Sequence, residues 1–161
     1  MIRFLKQKAG TWFGEKTHYK NYVFDSKKEE AFFRGFIENS GYKFEVHKSF
    51  KLHPIIEMCN GVLKLRSSSY APDFVLYDDK GNISHVIDVK NSFTSFAIDS
   101  AAALRFKLFA LKYKIPVEVI VPRVKSFRVK IMGTTKKFEP IVKYDFNYNI
   151  NDLVGEAYGG K

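Results

Sequence analysis

Two carboxylates and one amine, Asp73, Asp88 and Lys90, are the residues whose types and spacing could do chemistry. Two β-rich runs, Phe74 to Tyr77 and Ile83 to Val89, flank Asp79-Lys80-Gly81-Asn82, and apolar runs around a Gly-containing turn predict a β-hairpin. With Lys80 and Gly81 central, Phe74 falls opposite Ile87, Val75 opposite Val86 and Asp73 opposite Asp88. Directly opposed side chains have Cβ atoms about 4.5–5.5 Å apart, a spacing at which like charges destabilise the pair. Two carboxylates so placed read as the grip of a cation. Lys90 projects from the same face as Asp88 because side chains alternate along a strand. Mg²⁺ suits this arrangement, since it takes one or two carboxylates together with waters and phosphate oxygens. The chemistry expected is metal-assisted attack on phosphorus, with Lys90 orienting the attacking water or stabilising developing charge. The plainer alternative is a surface hairpin with a solvated polar face.

Pro72-Asp73, a gap of 14 residues, and then Asp88-Val89-Lys90 resemble the signature of the PD-(D/E)XK nuclease superfamily. The resemblance implies that Asp73 and Asp88 hold Mg²⁺, with Mn²⁺ able to substitute, that the Val89 backbone carbonyl adds a ligand, and that Lys90 assists phosphodiester hydrolysis. Phe24-Asp25-Ser26-Lys27-Lys28-Glu29 is similar to the first-helix motif of a small phage-encoded branch of that superfamily, which maps its helix acid onto Glu29. Lys107-Leu108-Phe109 is similar to a Lys-Leu-Phe of the same branch. The resemblance covers residues 24 to 121. It implies a restriction-endonuclease-like fold and a DNA substrate, with a branched-DNA or Holliday-junction role open.

These residues need a scaffold, and 161 residues with 45% hydrophobic content, 16 Phe and 9 Tyr predict one folded domain. Lys and Arg outnumber Asp and Glu by 27 to 17, for a net charge of +10, which predicts a polyanionic partner. The single cysteine, Cys59, excludes an intramolecular disulfide, and no Cys/His set has zinc-ligand spacing. With no signal peptide and no long apolar run, no membrane association is expected, and the expected compartment is the cytoplasm, that of a host cell if the chain is phage-encoded.

The first helix is predicted from Ser26, where Ser26-Lys27-Lys28-Glu29 is a capping box, to Asn39, with Gly41 as its C-terminal signal. Phe32, Phe33, Phe36 and Ile37 form its apolar stripe. Glu29 lies over that stripe, so it either caps its own helix or points inward at a metal or at Lys90. Glu30 is a weaker candidate on the stripe's border. Tyr42, Phe44 and Val46 alternate with polar residues as a first core strand would. His53 to Ser69 is long for a connection and reads as functional or mobile, with a short strand within Val62 to Arg66. His47, His53 and His85 form no spaced set and read as surface or packing residues.

A second helix is expected from Asp99 to Lys114, with a core stripe of Ala101, Leu104, Leu108 and Leu111 and Pro116 as its stop. Arg105, Lys107 and Lys112 on this helix are candidates for phosphate contacts. Val117 to Val121 reads as a buried strand reached by a crossover, parallel to the Asp88 strand. Arg123, Lys125, Arg128 and Lys130 then suggest a basic-faced edge strand, the first three being further DNA candidates. Near the start, Lys6, Lys8, Lys16, His18 and Lys20 interleave with Trp12, Phe13, Tyr19 and Tyr22, as either two short strands or a basic arm would. A C-terminal extension is expected to fray from Gly155.

The order of elements predicts an α/β domain, a mixed sheet flanked by helices. The expected function is a Mg²⁺-dependent DNA endonuclease, and the alternative is a non-catalytic DNA- or RNA-binding module on the same fold. Resolution of a branched substrate would call for a homodimer, with Phe138, Tyr144, Phe146 and Tyr148 as interface candidates unless they close the monomer core.

Overall fold

The computed structural model describes residues 14–159. The elements in chain order are β1 (Thr17–Tyr19), β2 (Tyr22–Phe24), α1 (Lys27–Phe32), β3 (Lys43–Val46), β4 (Phe50–His53), β5 (Ile56–Met58), β6 (Leu63–Leu65) and β7 (Ser68–Tyr70). They continue with β8 (Phe74–Tyr77), β9 (Ile83–Val89), α2 (Ser100–Tyr113), β10 (Glu118–Pro122), β11 (Phe127–Ile131), β12 (Ile141–Lys143) and α3 (Ile150–Tyr158). Six strands form one mixed sheet in the order β12-β11-β10-β9-β8-β3. Only β9 and β10 run parallel, joined through α2. The fold is α/β.

Alternation along the central strands explains why both sheet faces are covered. Phe74, Leu76, Ile87, Ile120, Phe127 and Val129 pack with Phe32, Phe33 and Ile37 of the first helix. Val75, Val86 and Val119 pack on the opposite face against Ala102, Phe106 and Phe109 of α2. Each such side chain removed from water contributes about 1.5–3 kcal/mol, so two aromatic-rich layers fix the β8–β9 pair between two helices. The sequence-derived register holds where it matters: Phe74 pairs with Ile87 and Val75 with Val86. It slips beyond Leu76, where Tyr77 pairs with Ile83, because Asp78 organises the turn by accepting from the amides of Lys80 (2.9 Å) and Asn82 (2.8 Å).

Other expectations are corrected. The first helix ends at Ile37 rather than Asn39, its last turn, Phe33–Ile37, widening to π geometry. In α2 the residues turned inward are Ala102, Phe106 and Phe109, while Leu104, Leu108 and Leu111 are exposed. The helix carries two apolar faces, and the aromatic one wins because Phe109 meets Phe50, Tyr70 and Tyr113 with ring centroids 5.0, 5.7 and 4.9 Å away. The basic strand β11 is not an edge, since β12 pairs with its outer side. Nor does the C-terminal segment fray at Gly155: α3 runs through it to Tyr158, started by an Asn149–Asp152 capping box. Phe138, Phe146 and Leu153 of that segment belong to the core and Tyr148 packs against it, so these three aromatics close the monomer, whereas Tyr144 is exposed. The sheet and core thus extend past residue 121. The short strand expected within Val62 to Arg66 is β6, and β4, β5 and β7 join it in the segment before β8. Of the N-terminal residues singled out from sequence, Lys6, Lys8, Trp12 and Phe13 lie outside the described residues, and Tyr19 and Tyr22 sit on the β1–β2 hairpin.

Candidate functional site

The site forms where β8 begins and β9 ends. Asp73 precedes the first residue of β8, and Asp88 is the penultimate residue of β9. The Val89 amide donates to Asp73 Oδ2 at 2.6 Å, tying the first acid to the strand that carries the second. Asp88 is buried, with Oδ2 accepting from the Tyr70 hydroxyl at 2.8 Å and Oδ1 lying 2.6 Å from Lys90 Nζ. Lys90 continues the β9–β10 ladder by donating its amide to Ile120 (2.8 Å), after which the chain leaves the sheet. Asp88 pairs with Val119, placing Asp88 and Lys90 on the face covered by α2.

A cleft of about 320 Å³ opens over these groups, lined by Asp25, Tyr70, Asp73, Asp88, Lys90 and Arg105 among others. A second cleft of about 340 Å³, lined by Ser26, Lys28, Val89, Asn91 and Asp99, shares Lys90, Ala102 and Arg105 with the first. The two form a trough with both acids on one side and Lys28, Lys90 and Arg105 along it.

The electrostatics are those of crowded carboxylates. Burial pushes the Asp73 carboxyl well above its ordinary range, the charges of Asp88 and Glu29 push it further, and the Val89 amide and Lys90 only partly offset this. Burial pulls the Lys90 ammonium down, but Asp88 and Asp73 more than compensate, so it stands above its ordinary value. The Tyr70 hydroxyl is held well above its usual value by burial and by Asp88. It therefore stays protonated as a donor to that carboxylate.

Glu29 caps its own helix and also turns one oxygen inward. Ser26 Oγ accepts from the Glu29 amide (3.1 Å), and Glu29 Oε2 accepts from the Asp25 amide (3.1 Å), a cap displaced by one residue from the expected box. Its other oxygen points inward, 2.6 Å from His47 Nε2, and not at Lys90. Glu30 pairs with Arg34 across one turn (3.4 Å) and is no part of the site. His47 overturns the expectation of a surface or packing residue. Its ring nitrogen is 3.9 Å from both Asp25 Oδ2 and Asp73 Oδ1, and its amide donates to the Asp73 carbonyl (3.1 Å). The bond to Glu29 raises the His47 pKa, against burial, which lowers it. Donor atoms of Asp25, Glu29 and His47 all lie within 4.8 Å of one another. An imidazole nitrogen suits a transition metal better than Mg²⁺, so the oxygen pair Asp73–Asp88 remains the group matched to Mg²⁺.

The basic candidates are scattered. Arg105 lines both clefts. Lys107 lies elsewhere, its aliphatic stem against Gly133, whose φ is +77°. Lys112 donates to the Lys51 carbonyl (2.7 Å) and so anchors α2 to β4. Arg123 and Lys125 are exposed in the β10–β11 turn. Arg128 and Lys130 pair with Val121 and Val119, which puts them on the Asp88 face, with Arg128 5.4 Å from the centre of the Phe93 ring.

Sequence reasoning missed His47, Tyr70, Asp25 and Lys28. No spacing marks His47: it reaches Asp73 only because β3 pairs Val46 with Phe74 in the folded sheet. Nothing in spacing marks Tyr70, which arrives from β7 through a tertiary contact.

Residues 10–131 match the model of a protein family described as "Protein of unknown function (DUF1064)". The chain belongs to that family. The matched stretch holds every residue of the trough and ends with β11, leaving β12 and α3 outside the DUF1064 match. No curated protein and no solved structure matches the chain.

Proposed function

We propose that this DUF1064 protein is a divalent-cation-dependent DNA endonuclease. The observation that carries the reading is that Asp73, just before β8, and Asp88, near the end of β9, line one cleft, with Asp73 tied to the Val89 amide and Lys90 2.6 Å from Asp88. The donor set fits a hard cation: two neighbouring carboxylates, one of them held well above its normal range by burial and by the charges of Asp88 and Glu29. Asp73, Asp88 and the Val89 carbonyl would hold the ion, with Glu29 beside them and Mg²⁺ or Mn²⁺ as the metal. Bound there, it would supply Lewis-acid activation and neutralise phosphate charge.

The chain's own residues do the rest. Tyr70 fixes the orientation of Asp88, and the Val89 amide fixes that of Asp73. Lys90, protonated, places positive charge where an attacked phosphate gains negative charge. Arg105 and Lys28 hold the backbone in the trough, and Arg128 and Lys130 extend the basic surface along the same sheet face. Cleavage of a branched substrate, in the manner of a phage resolvase, belongs to this reading as its narrower form.

A second reading has one observation in its favour. Both Asp88 oxygens have a partner within the protein, Oδ2 by a hydrogen bond from Tyr70 and Oδ1 by an ion pair with Lys90, as in the structural polar network of a non-catalytic DNA- or RNA-binding module. A panel of duplex, single-stranded and four-way DNA, incubated with Mg²⁺, Mn²⁺ or EDTA, separates the two. Metal-dependent cutting of any member is expected. Binding without cutting in every metal establishes the second reading.

The position of Arg105 gives a further expectation. Arg105→Ala should lower the slope of log affinity against log salt by about 0.9 on duplex DNA, the value of one phosphate contact. Lys107→Ala should leave it close to wild type. Equal slopes for wild type and Arg105→Ala would move the contact surface to Arg123–Lys130.

A further inference from the structure

From Pro54 to Ser69 every residue is exposed. The base of this arm is anchored: Phe50 of β4 pairs with Tyr70 of β7, and both are buried against Phe109. Beyond the base, β5 and β6 pair only with each other, Ile56 with Leu65, Glu57 with Lys64 and Met58 with Leu63. Alternation therefore sets Ile56, Met58, Leu63 and Leu65 on one face and the Glu57–Lys64 ion pair (3.5 Å) on the other. The tip turns through Cys59, Asn60 and Gly61, with φ of 53°, 56° and 82°.

Among the described residues, β5 and β6 join no other strand and their apolar residues stay exposed. Ile55 is 62% exposed, Ile56 42%, Met58 42%, Val62 81%, Leu63 53% and Leu65 46%. The four residues of the apolar face, Ile56, Met58, Leu63 and Leu65, leave on the order of 350 Å² in water, within what a monomer's largest patch shows, while Ile55 and Val62 add exposed apolar surface off that face. A two-stranded ribbon is marginal in water, and both of its edges carry unpaired amides and carbonyls.

We propose that this arm is the surface through which two copies of the chain associate. Charge selects the occupant. The chain carries +10, so two copies repel wherever their basic surfaces approach. Between Pro54 and Ser69 the charged side chains are Glu57, Lys64 and Arg66; Lys64 pairs with Glu57, and the arm keeps a net charge of only +1. The other exposed apolar stripe, Leu104, Leu108 and Leu111, shares α2 with Arg105, Lys107 and Lys112, and a second copy docked there would bring cations together. Nucleic acid is the poorer occupant of the arm, because a phosphate backbone needs cations and the apolar face has none. An apolar ribbon is also self-complementary about a two-fold axis. The inference does not depend on the nuclease reading.

Sedimentation equilibrium on the full chain, together with Met58→Glu/Leu63→Glu and Leu104→Glu/Leu108→Glu, is the test. A wild-type dimer at micromolar concentration is expected, weakened at least ~100-fold by charge in the arm and unaffected by charge on α2. The arm lies outside the core, so the arm variant should keep its circular dichroism spectrum and its cooperative melt. A nitroxide on Cys59, the only cysteine, should report one inter-label distance in the wild-type arm and none with Met58→Glu/Leu63→Glu. A monomeric wild type, or a dimer that survives the arm substitutions, overturns the proposal. So does a monomer whose arm variant loses DNA affinity, which would make DNA the occupant.

Discussion

Replacing Asp88 with Asn should reduce DNA cleavage by at least about a thousandfold while leaving DNA affinity within a few-fold of wild type. The amide keeps an oxygen to accept from the Tyr70 hydroxyl, so the local geometry survives. What disappears is the negative charge opposite Asp73 and the partner of Lys90. Loss of one charge-stabilising group in a preorganised site commonly costs ~10²–10³ in rate, and loss of a metal-holding carboxylate removes the metal's contribution as well. Lys90→Ala should lose ~10²–10³ through the electrostatic term alone. In the proposed reading affinity rests on Arg105, Lys28 and the Arg128–Lys130 stripe, none of which is substituted. Single-turnover cleavage and fluorescence anisotropy on the same preparation separate the two quantities. Cleavage by Asp88→Asn at the wild-type rate would remove Asp88 from the chemistry and the proposed function with it.

How far the site could be read from sequence depended on how local its determinants were. Asp73, Asp88 and Lys90 lie on one hairpin whose register follows from a Gly-containing turn, so sequence arithmetic brings them together. Glu29 was legible because a capping box and a 3.6-residue period fix its direction on a helix. His47 and Tyr70 were not. One joins the site through pairing of β3 with β8, the other through a buried contact from β7, and each involves partners with no common period. The second helix failed for another reason. Its sequence offers two apolar faces of comparable strength, and only the aromatic neighbours Phe50 and Tyr70 decide between them. Likewise Phe138 and Phe146 gave no local sign that they close the core over α1 rather than face a partner. A one-residue slip at Asp78 also shows the limit of turn reasoning, since a side chain that caps amides can draw the turn toward itself.

Metal-free protein should lose thermal stability as pH rises from about 5 to 8, and a divalent cation should restore most of it at the alkaline end. Two groups set the sign. Asp73 has a raised pKa in the folded state, while in the unfolded chain it titrates near 3.9. The folded state therefore binds the proton more tightly. Its stabilising contribution is complete below about pH 4 and is lost as pH rises through the elevated folded value. His47 is also raised, chiefly by Glu29, so its contribution is present below about pH 6.5 and is lost as pH rises through its folded value. Both contributions fall with increasing pH. The depressed carboxyls Asp78, Glu38 and Glu139 act in the opposite sense, but their contribution is lost only as pH falls through values below the normal carboxylate range, outside this window. A cation held by Asp73 and Asp88 competes with the proton on Asp73, so it binds better at pH 8 than at pH 5. At a hundredfold excess over its Kd it adds about 2.7 kcal/mol, roughly 5–10 °C for a chain of this size. Asp73→Asn should raise the metal-free melting temperature at pH 8, flatten the acidic half of the profile and abolish the metal-induced shift. His47→Gln should flatten only the part above pH 6. Differential scanning calorimetry with and without Mg²⁺ or Mn²⁺ reads all of these. A metal-induced shift that persists in full in Asp73→Asn would place the cation elsewhere, with Asp25, Glu29 and His47 the next group to test.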